Sequence, residues 1–287
     1  MYRKPIVEGL SYAHGKVELV KQIEGCFTHK EGPGDLPVAH QRGMVHAVIL
    51  PHGPYSHSGP CAAWVFKELA ESEPPECYLI LSVAHREQST CTTDANFLTP
   101  LGVVENDDAL RGLLISLGIP KNPDAHNREH AIEVQLPFLQ YLFKNPVQQR
   151  FVPLLIGDDD PQRIASIIRQ AIERYGKRVC LLISTDFTHY GNRYRYTPFV
   201  YNVRDELYKM DARAINYICS QDTEGFLKFC EETKSTICGK QAIAVLLEYL
   251  EMLQQPFKYE LLKYYTSADI TGGYERGTIG YASLVVR

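Results

Sequence analysis

"RVCLLISTDFTHYG" spans residues 178–191, and its first half decides the fold. Val179 to Ile183 are apolar without a break, where a strand with one wet face would alternate. Such a run reads as a strand covered on both sides, the habit of α/β sheets. It stops abruptly and delivers Asp186, Thr188 and His189, followed by an aromatic and basic loop, "GNRYRYTPFVY" (191–201).

Five further runs share the character of that strand: "HAVIL" (46–50), "CYLILSV" (77–83), "FVPLLIG" (151–157), "YELLKYYT" (259–266) and "IGYASLVV" (279–286). Helical periodicity lies at 61–72, 107–118, 129–143, 160–176, 203–220 and 239–253. Asp160-Pro161 and Gly176 supply the expected start and stop of one of these helices. Strand and helix patterns alternate throughout. The chain therefore reads as α/β: a single domain over 1–287, with a central mixed, largely parallel sheet covered by helices on both faces. The Gly/Pro/His-rich stretch 29–43 reads as a surface loop.

Composition bounds the function. The 287 residues are 45% hydrophobic and 22% charged, ordinary for a globular protein, and the net charge of −4 gives no reason to expect a nucleic-acid partner. No apolar run reaches the roughly 18 residues of a membrane span, and residues 1–16 lack a secretory h-region, so a cytoplasmic location is expected. Eight cysteines with no C-x-x-C pair read as reduced thiols, most of them core filler.

In an open α/β sheet, ligands settle beyond the carboxyl ends of the strands. That rule selects His52 after the first long run, His85 after the second, and Asp186 with His189 after the run quoted above. Cys238 sits at the start of the last predicted helix, where unpaired N–H groups and the dipole favour thiolate. In "NREHAIEVQLP" (127–137), Glu129, His130 and Glu133 fall near a predicted helix start, with His130 and Glu133 neighbours at i, i+3. Glu133 is the more interesting, being flanked by apolar residues. Within the loop at 191–201, Arg193, Arg195 and Tyr196 are candidates for gripping a carboxylate or phosphate. His40, His46 and His57 have only composition to recommend them.

Taken together, these residues resemble the Memo family (mediator of cell motility). The resemblance runs from about residue 46 to 287 and rests on "ILPHGPYSHSG", the histidine ending "LILSVAH", then "EHAIEVQLP", "STDFTHYGNRYRY" and "STICG", in order. It implies a fold like that of class III extradiol dioxygenases, which hold non-haem Fe(II) with two histidines and a glutamate. Carried over, His52 and His85 become metal ligands, with Cys238 in the place of the carboxylate. His189 takes the place of the acid/base, and Asp186 and Glu133 line the pocket. Fe(II) is the first expectation, with Cu or Zn admitted by two imidazoles and a thiolate. The function implied is a metal-binding protein of redox character acting on a small molecule. A second reading is a signalling adaptor that binds phosphorylated or acidic peptides on a retired enzyme scaffold. A third is a metal-free cysteine hydrolase with Cys238 as nucleophile.

Overall fold

The computed structural model describes residues 1–287 apart from 39–41, 86–87, 144–149 and 275–276, so His40 lies outside the described residues. The chain opens with strand β1 (Tyr2–Arg3), helix α1 (Lys16–Thr28), β2 (Ala47–Leu50), α2 (Gly59–Ala70) and β3 (Cys77–Val83). Short strands β4 (Cys91–Thr92), β5 (Asn96–Thr99) and β6 (Gly102–Val104) lead to helices α3 (Asp108–Ser116), α4 (Pro123–Asn127) and α5 (Leu136–Leu142). Next come β7 (Phe151–Ile156), α6 (Pro161–Tyr175), β8 (Val179–Ser184) and the two-residue β9 (His189–Tyr190). The chain finishes with α7 (Val203–Cys219), α8 (Thr223–Glu232), α9 (Lys240–Met252), β10 (Tyr259–Thr266), α10 (Ser267–Thr271) and β11 (Thr278–Val286).

The main sheet runs in the order β10-β11-β2-β8-β3-β7-β4. Its centre, β2-β8-β3-β7, is parallel, whereas β11 pairs antiparallel with β2, β10 with β11, and β4 with β7. Neither β2 and β3 nor β7 and β8 are neighbours, because β8 inserts between β2 and β3. The unbroken hydrophobicity of the central strands is explained by two cores. Side chains such as Leu79, Leu81, Leu181 and Ile183 face helices α6 and α9, while Tyr78, Ile80, Cys180 and Leu182 face α1, α2 and α5. On the second side Phe66 and Phe138 stack with ring centroids 4.6 Å apart.

Local chemistry sets the helix ends. The Asp160 side chain accepts from the N–H groups of Gln162 and Arg163, and Gly176 takes φ 65° to close α6, as the sequence implied.

Three expectations need correction. The helix predicted over 129–143 is not one helix: residues 129–130 are irregular, a 3-10 turn covers Glu133–Gln135, and α5 begins only at Leu136. Pro137 fits the first turn of α5 and cannot donate to a preceding turn, so α5 starts cleanly there. Strand β10 is the sheet edge and only its last two residues are buried, so its apolar run does not mark a strand covered on both faces. Helices α1 and α8 and the small β1-β5-β6 sheet fall outside the periodicities read from sequence.

Candidate metal centre

The parallel strands β2, β8 and β3 are adjacent in that order and end at the same edge, so the residues just beyond them converge. His52 follows β2, Asp186 follows β8, and His85 follows β3. One ligand atom each from His52, His85 and Cys238 can be drawn such that all lie within 4.8 Å of one another.

Cys238 reaches this edge because the segment before α9 is clasped to the end of β8. The Cys238 N–H donates to the Asp186 carbonyl (3.3 Å), and the Gly239 N–H donates to Thr185 Oγ1 (2.9 Å). A Cβ at Gly239 would sit 2.5 Å from the Thr185 Cβ, so the approach requires glycine. The Cys238 sulfur accepts from the Asp186 N–H at 3.2 Å and lies 3.3 Å from His52 Nε2. Burial pushes the Cys238 thiol up, opposed by a hydrogen bond with His85. The helix start favours thiolate while burial opposes it, so position alone does not decide the state of this thiol.

His52 is buried, and its backbone N–H donates to Asp186 Oδ1 at 2.9 Å. Its Nδ1 lies 3.3 Å from Ser184 Oγ. The single hydroxyl hydrogen of Ser184 goes to the Ala131 carbonyl (2.6 Å), so Ser184 must accept from both Gln135 Nε2 (2.8 Å) and His52 Nδ1. His52 therefore carries a proton on Nδ1 and turns Nε2 toward Cys238.

His85 stands on the rim. Its Nδ1 lies 2.8 Å from Glu129 Oε2, which leaves Nε2 for the contact with Cys238. Burial alone would lower the pKa of His85, yet hydrogen bonds to Cys238 and Glu129 lift it to about 9. Burial likewise opposes charge on Glu129, but hydrogen bonds from His130 and His85 hold its carboxyl well below the usual carboxylate range.

His189 bonds through Nδ1 to the carbonyls of Phe187 and Thr236, both at 3.0 Å, and this fixes its proton on Nδ1. Burial lowers its pKa, against the pull of Asp186, so the ring is neutral with a bare Nε2. Asp186 lies between these groups, with Oδ2 3.9 Å from His52 Nε2.

Two residues depart from the arrangement expected. His130 and Glu133 are not face neighbours on one helix. His130 joins His52 and His85 in a near-regular triangle of imidazoles, with ring centroids 5.7, 5.7 and 5.8 Å apart. Glu133 turns away to bind the N-terminal segment: it accepts from Arg3 and the Tyr12 hydroxyl, each at 2.6 Å, and from the backbone N–H groups of Ile6 and Val7. The sequence placed Glu129 with His130 and Glu133 near a predicted helix start, without a partner on another strand. The signal that it belongs here was its place one residue before His130, but its contact with His85 crosses 44 positions.

In the loop at 191–201, Tyr196 is buried and its hydroxyl donates to the Thr233 carbonyl at 2.7 Å, so it packs the loop. Arg193 is exposed and lies over the Tyr194 ring, 4.4 Å from its centroid. Arg195 is exposed, with a left-handed backbone at φ 54°. A cavity of about 380 Å³ opens beside the cluster, with His85, Cys238, Gln88, Gly157, Lys240 and Gln241 among its walls. No helix among the described residues is long and apolar enough to cross a membrane.

Comparison with known proteins bears on this arrangement. A family model described as "Memo-like protein" matches residues 3–285. A MEMO1 family protein of Methanopyrus kandleri is 36% identical over 296 residues, covering 100% of this chain and 99% of that protein. Another, from Desulfurococcus amylolyticus, is 33% identical over 296 residues with 98% of each covered. A crystal structure described as uncharacterized protein JW3007 from Escherichia coli K12 matches at a TM-score of 0.48 and 14% identity, over 84% of this chain and 99% of that one, a likeness too distant to speak for the site.

Proposed function

The chain belongs to the Memo family, and we propose that it binds a transition metal on His52, His85 and Cys238, with His189 beside the metal as proton acceptor. The observation that carries this reading is the tautomer pattern. At His52, His85 and His189 alike, Nδ1 is occupied by a neighbouring oxygen, which leaves Nε2 as the nitrogen that can face a metal. Metal-binding histidines are oriented in this way by a partner on the other ring nitrogen. Two imidazoles and a sulfur make a donor set that fits Fe(II), our first expectation, and also Cu or Zn(II).

When bound, the metal would supply a Lewis-acidic centre, redox-capable if iron or copper, with positions left for an exogenous ligand. The protein's own groups then divide the remaining work. His189, neutral and with Nε2 bare, is suited to take a proton from a ligand. Asp186 holds the His52 backbone in place through Oδ1. The cavity of about 380 Å³ suits a small molecule and reaches the cluster on the side of His85 and Cys238.

Elemental analysis of anaerobically purified and Fe(II)-reconstituted protein tests the reading, with a His52→Ala/Cys238→Ala variant beside it. Stoichiometric metal in the wild type and none in the variant is expected. Wild type that stays metal-free after reconstitution with Fe(II), Cu(I) and Zn(II) would overturn it and favour an adaptor role.

A further inference from the structure

We propose that Glu129 is a positioning residue for the metal site: it holds His85 with its proton on Nδ1 and its Nε2 toward Cys238. The inference rests on the metal reading given above and adds a residue to it.

Glu129 is 7% exposed, and both oxygens of its carboxylate are held by hydrogen bonds. Oε2 accepts from the His85 ring at 2.8 Å and from the His85 backbone N–H at 3.3 Å. Oε1 accepts from the backbone N–H groups of His130 (2.7 Å) and Ala131 (3.1 Å) and lies 3.2 Å from His130 Nδ1. Arg3 approaches the same residue yet takes its backbone carbonyl, at 2.6 Å, and spends its charge on Glu133 instead. The Glu129 carboxylate is thereby left to the imidazoles.

The result is an asymmetric pair of ligands. His52 is oriented by a neutral hydroxyl, Ser184, at 3.3 Å, whereas His85 is oriented by a carboxylate at 2.8 Å. A charged acceptor makes a shorter and stronger bond and leaves the far nitrogen a better electron donor. His85 is also the exposed one of the two, so at the rim the carboxylate does for its ring what the protein interior does for His52.

The test is Zn(II) affinity by competition with a chromophoric chelator, together with imidazole ¹⁵N–¹H spectra of the Zn(II)-loaded protein. Glu129→Gln should weaken binding about 10- to 100-fold and abolish the protected His85 Nδ1–H signal, with the His52 signal kept. Glu129→Asp, which retains the charge but shortens the reach, should fall between. A merely structural role would leave the Nδ1–H signal in place in every folded variant. Should the Gln variant not fold, the Asp variant decides: wild-type affinity and an unchanged His85 signal there overturn the proposal. Wild type that binds Zn(II), with a folded Glu129→Gln variant matching its Kd, overturns this proposal alone. Wild type that binds no metal overturns the metal reading and this proposal with it.

Discussion

Glu129 and Glu133 are four residues apart, both buried, and would share one face of a helix if the segment were helical. They do different things. Glu133 is met by a guanidinium, a phenol and two backbone N–H groups, and it ties residues 3–12 to the body of the protein. Glu129 is met by two imidazoles and backbone N–H groups, and it faces the cluster at the sheet edge. A buried carboxylate must find donors, and which donors it finds separates a structural clamp from a site component. Its own sequence neighbourhood does not say which.

Predictions follow from that contrast, the largest first. Glu133→Gln leaves Arg3 buried without its counter-charge, and removing one partner of a buried ion pair costs about 3–5 kcal/mol. The unfolding midpoint should drop by on the order of 10 °C, while Zn(II) affinity of the folded fraction stays within about threefold, below 1 kcal/mol. If Glu133→Gln instead loosens metal as much as Glu129→Gln does, the division between the two carboxylates is wrong.

A third buried carboxylate, Asp211 on α7, meets neither cation nor imidazole among the described residues. It accepts from the hydroxyls of Thr188 and Tyr264. Burial raises its pKa from 3.8 to about 6, against those two hydrogen bonds. Between these values the folded protein keeps a proton that the unfolded chain has released, so stability falls as pH rises through the window, and the loss is complete above about 6. At 1.36 kcal/mol per unit the loss is on the order of 2–3 kcal/mol. Asp211→Asn should flatten this part of the stability profile, measured by denaturant unfolding between pH 4 and pH 7. An identical slope in the variant would show that Asp211 does not titrate there.

The smallest effect is expected at the neutral partner of His52. Ser184→Ala removes one uncharged hydrogen bond to the ring, worth about 1 kcal/mol, and should weaken Zn(II) binding less than tenfold. A loss equal to that of Glu129→Gln would mean that the charge on the orienting group is irrelevant.

Several features were legible in the residues alone. The unbroken apolar runs marked the central strands, with β3 matched end for end, because strands buried on two faces admit no polar alternation; β10 matched its run as well, although it lies at the sheet edge. The histidines just past those strands were found by the strand-end rule, since a parallel sheet delivers every strand's carboxyl end to the same edge. Cys238 was placed at its helix start by the helical periodicity that follows it. What the chain could not reveal was the strand order, because β8 enters between β2 and β3 through pairings more than 100 positions apart, and this alone puts Asp186 between His52 and His85. Nor could it reveal that α5 starts only at Leu136, which sends Glu129 and Glu133 to different neighbours. The sequence by itself determined the central strands, the caps of α6 and the reactive groups at the strand ends, all set by interactions within a few residues. The tertiary structure decided which carboxylate orients an imidazole and which clamps the N-terminal segment, because a buried charge is satisfied by whatever packing brings to it.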